Sequence, residues 1–201
     1  MSVVPRLQAV RPERLAADIG TVVLVEGVSD QRAVETLAAR RNRDLHAEGV
    51  AVVPMGGATN IAHFADLYGP AGANLRLAGL CDAAQAPGFG RGLERAGLGS
   101  ALTRADLERL GFFVCDADLE DELIRALGAA AAEQVIEQHG EIASLRILQN
   151  QPAHRGRAHD QQLHRFLGTR SGRKAQYAAL LVEALDPAGV PAPLDRLLDA
   201  I

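Results

Sequence analysis

Apolar positions in this chain fall either into short unbroken runs or into stretches that recur every three or four residues. The run "TVVLV" (Thr21–Val25) is short, continuous and β-branched, as expected of a strand buried on both faces. After it Ala33, Val34, Leu37 and Ala38 recur at helical spacing, and Ser29 is placed to cap that helix. "VAVVP" (Val50–Pro54) reads as a second strand, followed by the turn "MGGATN" and a short helix over 60–67. "LRLAGL" (75–80) and "GFFVC" (111–115) read as the third and fourth strands. "DLEDELIRALG" starts a helix with acids in its first turn, as the helix dipole favours, and stops at Gly128. Beyond it the pattern predicts only helices, over 129–139, 161–167, 172–185 and 194–201, with "DPAGVPAP" breaking the last two apart. Residues 150–160 read as an exposed loop, and the glycine-rich 88–99 as a flexible loop able to cover a site.

Strands alternating with helices imply an α/β fold: about four mostly parallel strands flanked by helices, with right-handed crossovers and a helical C-terminal part. The expected division is a lead-in over 1–20 with a helical piece near 12–18, an α/β core over 21–128, and a helical extension over 129–201 packed on it. No internal repeat is visible.

Composition sharpens this picture. With 3% aromatics and no Trp, a core must be built from Ala, Leu and Val. No apolar run approaches the ~20 residues needed to span a bilayer, and the N-terminus lacks a signal-peptide layout, so a cytoplasmic protein with no membrane partner is expected. Cys81 and Cys115, each just before an aspartate, are too few for a disulfide framework and read as small buried residues near strand ends. The net charge of −4 hides a bias in its distribution. Lys174 is the only lysine. Residues 153–176 carry Arg155, Arg157, Arg165, Arg170, Arg173 and Lys174 against one acid, whereas 116–122 carry five acids and no base. One basic face for phosphates and one acidic pocket for cations are expected.

The acids should converge. In an open parallel sheet, ligands bind beyond the carboxyl ends of the strands. Glu26 ends the first strand, Asp30 opens the next helix, Asp82 follows the third strand, and Asp116, Asp118 and Glu120 follow the fourth. Gathered carboxylates repel and desolvate badly, a cost that a hard divalent cation such as Mg²⁺ or Mn²⁺ would remove. The competing explanation is helix capping, which suits Asp121 and Glu122 and stays open for Asp30 and Asp118. "MGGATN" lacks Gly-x-Gly-x-x-Gly, so a sharp turn is its expected role, with backbone N–H groups that could face phosphate. His154, His159 and His164 do not share a helix face and have no nearby cysteine; they add to the basic surface rather than form a zinc site. No Gly-x-Ser-x-Gly elbow is present.

"VLVEGVSD", "VVPMGGATNIAHFADL", "LAGLCDAA", "DLEDELI" and "GRKAQYAALLVEAL", in this order, resemble a TOPRIM domain, the Rossmann-like metal-binding fold of topoisomerases, bacterial primases and the OLD (overcoming lysogenization defect) nucleases, and most of all its OLD branch. The resemblance implies that Glu26 is a metal ligand or general acid/base. It makes Asp30, Asp82, Asp118 and Glu120 ligands of one or two Mg²⁺ or Mn²⁺ ions, and gives Lys174 the charge developing on a scissile phosphate. It departs at Asp82-Ala83-Ala84, where Asp-x-Asp is usual; this puts one ion in doubt unless Glu120 compensates. The implied activity is metal-dependent phosphodiester cleavage of nucleic acid, taken as DNA, with Arg155, Arg157, Arg165, Arg170 and Arg173 on the backbone phosphates. A non-catalytic binding or regulatory subunit, and a nucleotidyl transferase or phosphohydrolase acting on small nucleotides, are the alternatives. The OLD family proper carries an ATPase domain, for which this chain has neither room nor a phosphate loop. A separate ATPase is therefore an expected partner, and a homodimer an open arrangement.

Overall fold

The structure, a computed structural model, describes residues 18–170 and 172–201. The expected helical piece near 12–18 and most of the lead-in over 1–20 lie outside the described residues. The α/β part runs β1 (Thr21–Val25), α1 (Val28–Arg40), β2 (Val50–Pro54), α2 (Ile61–Tyr68), β3 (Arg76–Asp82), α3 (Ala86–Arg95), α4 (Arg104–Arg109) and β4 (Phe112–Cys115). The four strands form one sheet in the order β2-β1-β3-β4, every neighbouring pair parallel.

The two central strands are apolar because both of their faces are covered. Val23, Val25, Ala78, Leu80, Phe113 and Cys115 point to one face, against α1 and the C-terminal helices. Val22, Leu24, Leu77, Cys81, Phe112 and Val114 point to the other, against α2, α3 and α4. This alternation is the two-residue period of a strand read on both sides. The path from β1 through α1 leads to β2 on one flank. The next crossover, through α2, returns over β1 to β3 on the other flank. The crossover direction therefore reverses between β1 and β3, which opens a crevice at their carboxyl ends.

Six helices follow: α5 (Leu119–Leu127), α6 (Ala129–Gln138), α7 (Ile142–Asn150), α8 (His159–Leu167), α9 (Arg173–Ala184) and α10 (Ala192–Ala200). They complete the core on the α1 face, where Leu123, Ile136, Leu163, Tyr177, Leu181 and Leu198 are all buried. Arginines at the end of α1 fasten the extension. Arg40 donates to the carbonyls of Val182 and Leu185 at 2.6 and 2.8 Å, and Arg43 to that of Ile201 at 2.8 Å. These carbonyls stand at the ends of helices α9 and α10, where the helical ladder runs out; that of Val182 also takes the Leu185 N–H at 3.3 Å.

The expected strands fall within two residues of those observed; the helices show three differences. Residues 88–99 are not a loop: most of them form α3. Glycines lower helix propensity by about 1 kcal/mol each, but here Phe89 and Leu93 are fully buried and hold the helix down. Gly92 is needed for the contact, since a Cβ there would lie 2.5 Å from Ile61 Cγ2. Helices α4 and α7 were not expected at all. Finally, Ser29 does not cap α1: Gly27 stands at the N-cap, and Asp30 reaches back to accept its N–H at 2.8 Å. Among the described residues no helix is long and apolar enough to cross a membrane.

Candidate metal centre

The chain turns sharply after β1. Gly27 is extended, its N–H is taken by Asp30 Oδ2, and Glu26 is left half-buried at the strand end. The Glu26 carbonyl accepts the N–H of Gly57 at 3.0 Å, which ties this turn to the one after β2. Gly56 and Gly57 have φ of 71° and 128°, conformations that side chains disfavour. The Gly57 N–H is thus used inside the protein rather than left for a phosphate. Asp82 is the last residue of β3. Asp118 is the N-cap of α5 and accepts the Asp121 N–H on Oδ1 at 2.9 Å. Glu120, in the first turn of α5, is only 3% exposed.

Glu26, Asp30, Asp82, Asp118 and Glu120 line one cleft of about 320 Å³, and Lys174 from α9 enters it from the C-terminal side. The cleft sits at the reversal between β1 and β3. Asp116 does not join it: that side chain is exposed, 3.5 Å from Arg104 and 3.8 Å from Arg125. Asp121 and Glu122 have structural tasks. Both pair with Arg125, and buried Glu122 also accepts the N–H of Asp116 at 2.8 Å.

Two groups of the protein already engage these carboxylates. Lys174 Nζ lies 3.1 Å from Glu120 Oε2, and His164 Nε2 donates to Asp118 Oδ2 at 2.7 Å. Burial pushes the Asp30 carboxyl up to about 7, helped by the charges of Glu120 and Glu26 and opposed by its bond to Gly27. Burial likewise pushes Asp82 up to about 7, with Glu26, Asp118 and Asp30 all adding to the rise. At Asp118 burial acts in the same sense, but the bonds from His164 and Asp121 outweigh it and leave the carboxyl below its ordinary value. The His164 imidazole is held above its ordinary value by the Asp118 bond.

A divalent cation fits this cleft on the structure's own terms. Five carboxylates and the Ser29 hydroxyl line it, all oxygen donors of the kind hard ions take. Glu120 Oε1 is buried with no hydrogen-bond partner among the described residues, an oxygen that folding alone leaves costly. Among the described residues no three His, Cys, Asp or Glu side chains stand close enough to enclose an ion as they are. Ala84 contributes no oxygen, whereas α5 supplies two carboxylates to the cleft.

The raised Asp30 and Asp82 values set a pH dependence. Their neutral forms favour the fold, so this contribution is complete below about 4 and is lost as pH rises through about 7. His164, raised as well, acts in the same sense. A cation requires the ionised carboxylates, so its affinity must rise over the same interval, by up to ~10-fold per pH unit for each proton displaced. Melting curves from pH 5.5 to 8.5, with EDTA or with Mn²⁺, should therefore show a gain from the metal that grows with pH. In Asp82→Asn the growth should be clearly shallower.

The basic residues expected on phosphates are scattered. Arg155 and Arg157 are exposed and bond to the carbonyls of Asn150 and Ala153 in their own loop. Arg165 is exposed on α8, and Arg170, 69% exposed, is 3.4 Å from Glu141. Arg173 has another task. It is 5% exposed, pairs with Glu141 at 2.7 Å, donates to the Phe166 carbonyl at 3.2 Å and lies 4.0 Å over the Phe166 ring. In that position its guanidinium ties the start of α7 to α8 and α9. Both cysteines are buried, and burial pushes the Cys81 thiol up to about 12, which makes it inert.

Residues 20–83 match the model of the family described as overcoming lysogenization defect protein-like, TOPRIM domain. The fold resembles the C-terminal region of the Burkholderia pseudomallei OLD protein, with a TM-score of 0.69, 22% identity, and coverage of 90% of this chain and 96% of that one. It also resembles the C-terminal region of the Xanthomonas campestris pv. campestris OLD protein, with a TM-score of 0.65, 26% identity, and coverage of 90% and 93%. No curated protein sequence matches the chain.

Proposed function

We propose that this chain, which carries an OLD-like TOPRIM domain over residues 20–83, is a Mg²⁺- or Mn²⁺-dependent enzyme that cleaves phosphodiester bonds in DNA. The observation that carries the proposal is one cleft lined by five carboxylates and the chain's only lysine, with the Glu120 Oε1 atom buried and, among the described residues, unpartnered. TOPRIM domains generally bind divalent cations such as Mg²⁺. Glu26, Asp30, Asp82, Asp118 and Glu120 would hold the cation here. When bound, such an ion supplies Lewis acidity at a phosphoryl oxygen and at water.

The chain's own residues do the rest. Glu26 directly follows the central strand β1, and its carboxylate would take the proton of an attacking water. The Lys174 ammonium offsets charge as it grows on the phosphoryl oxygens. Exposed Arg155, Arg157, Arg165 and Arg170 supply salt-sensitive contacts to the DNA backbone. Incubating supercoiled plasmid and single-stranded DNA with Mn²⁺, Mg²⁺ or EDTA tests the proposal. Nicking that needs the metal supports it, and intact DNA under every condition defeats it. A second reading, a non-catalytic binding subunit, is favoured by Ala84, and DNA retention without cleavage would establish it.

Lys174 makes the metal proposal testable without DNA. Its ammonium sits on the carboxylate that a cation needs. Lys174→Met removes that competitor and leaves Glu120 buried without a counter-charge. At pH 8 the variant should bind Mn²⁺ several-fold more tightly by calorimetry while losing cleavage. Weaker Mn²⁺ binding would show that Lys174 supports the ion rather than competing with it.

A further inference from the structure

Three histidines stand in the basic part of the chain, and the structure separates one from the others. His159 pairs with Glu133 at 2.7 Å on the outer surface, while His154 lies in the loop before α8. His164, one turn before the end of α8, meets a residue that lines the cleft: its Nε2 lies 2.7 Å from Asp118 Oδ2. That contact bridges 46 residues and joins the helical extension to the first turn of α5.

The geometry points to His164 as a positioning residue that fixes the Asp118 carboxylate for the cation; the inference rests on the metal reading proposed above. Asp118 is held at both oxygens, by the Asp121 N–H on Oδ1 and by His164 on Oδ2. Two bonds in different directions determine the plane of the carboxylate, and each oxygen keeps a second lone pair for a cation or its water. Glu120, two residues on, has one oxygen on Lys174 and the other without a partner among the described residues. The two carboxylates that α5 contributes are thus steered by different helices, Asp118 by α8 and Glu120 by α9. Held at both oxygens, the Asp118 carboxylate keeps the orientation that the imidazole sets. A hydrogen-bonded partner behind a ligating group is worth about 10- to 100-fold in metal affinity.

The groups facing His164 agree with this assignment. Asp118 and Glu120 both favour its positive form, and Lys174 opposes it. The imidazole is 39% exposed, so its replacement should disturb the fold little.

The test is Mn²⁺ titration of the metal-free full chain by calorimetry at pH 8, for the parent, His164→Leu, His164→Asn and His164→Gln. Leu cannot donate, the Asn amide stops short of Asp118, and the Gln amide nitrogen replaces Nε2. Leu and Asn should each lower Mn²⁺ affinity by about 10-fold or more, and Gln should restore it to within a few-fold. Melting temperatures in EDTA should stay close to that of the parent for all three, and if His164→Leu does not fold, His164→Asn carries the comparison. Parent-like affinity in Leu and Asn overturns the inference and leaves the metal reading standing. Failure of Gln to restore what Leu loses also overturns it, because the donor alone would then not be the cause. Absence of Mn²⁺ binding by the parent overturns the metal reading and this inference together.

Discussion

Glu26→Gln should fold as the parent does and lose about three orders of magnitude of Mn²⁺-dependent DNA cleavage, within the ~10²–10⁴ range of a lost proton-transferring group. The substitution keeps the shape and volume of the side chain. Val25 before it is fully buried in the central strand β1, and the Glu26 carbonyl keeps its bond to Gly57, so the position of residue 26 survives. What disappears is one negative charge and one proton acceptor at the carboxyl edge of the sheet. Because the Glu26 charge helps to raise Asp82, the Asp82 carboxyl should also fall back toward its ordinary value. Circular dichroism and melting should therefore be unchanged or slightly improved in EDTA, since a repulsion has been removed. Nicking of supercoiled plasmid is the assay, and cleavage that survives the change would defeat the assignment of Glu26.

Gly79→Ala should be among the most damaging substitutions to stability. Gly79 lies in β3 opposite Leu24 of β1 on one side and Phe112 of β4 on the other. A Cβ at this position would be 2.2 Å from the Leu24 carbonyl oxygen and 3.0–3.1 Å from the Phe112 ring. The ring can tilt, but the carbonyl belongs to the central strand β1, where Val22–Val25 are fully buried. Relief therefore requires β1 and β3 to separate, and the cleft lies at the end of that pair. Overpacking usually costs 1–3 kcal/mol, and a clash with fixed backbone belongs at or above the top of that range. About 3 kcal/mol corresponds to a fall in melting temperature of roughly 10 °C for a chain of this size. Thermal denaturation in EDTA measures it, and a loss under 1 kcal/mol would mean that the two strands have slack. Mn²⁺ affinity should fall in parallel, because Glu26 and Asp82 are carried by the two strands that part.

How much of this could be read from the residues differs from one element to the next. The strands were legible because both faces of the sheet are covered, which makes each strand a continuous apolar run. Helix α3 was not, since Pro87, Gly88, Gly90 and Gly92 all suggest a loop; only the burial of Phe89 and Leu93 beside Ile61 overrides that preference. The five carboxylates of the cleft were legible because each stands at the end of a strand or in the first turn of the helix after it, where an open parallel sheet must present them. Asp116 has the same address by sequence but is turned away by Arg104 and Arg125. Arg173 and Lys174 are adjacent and chemically alike, yet one is buried on Glu141 and the other enters the cleft.

The sequence by itself determined the alternation of strands and helices and the acids at the strand ends, because hydrophobic periodicity and the direction of the chain are local properties. Only the tertiary structure decided which charges meet. His164 on Asp118, Lys174 on Glu120 and Arg173 on Glu141 join residues 46, 54 and 32 positions apart. Side-chain pairing at that separation depends on how α8 and α9 lie across the sheet, and no spacing along the chain records that angle.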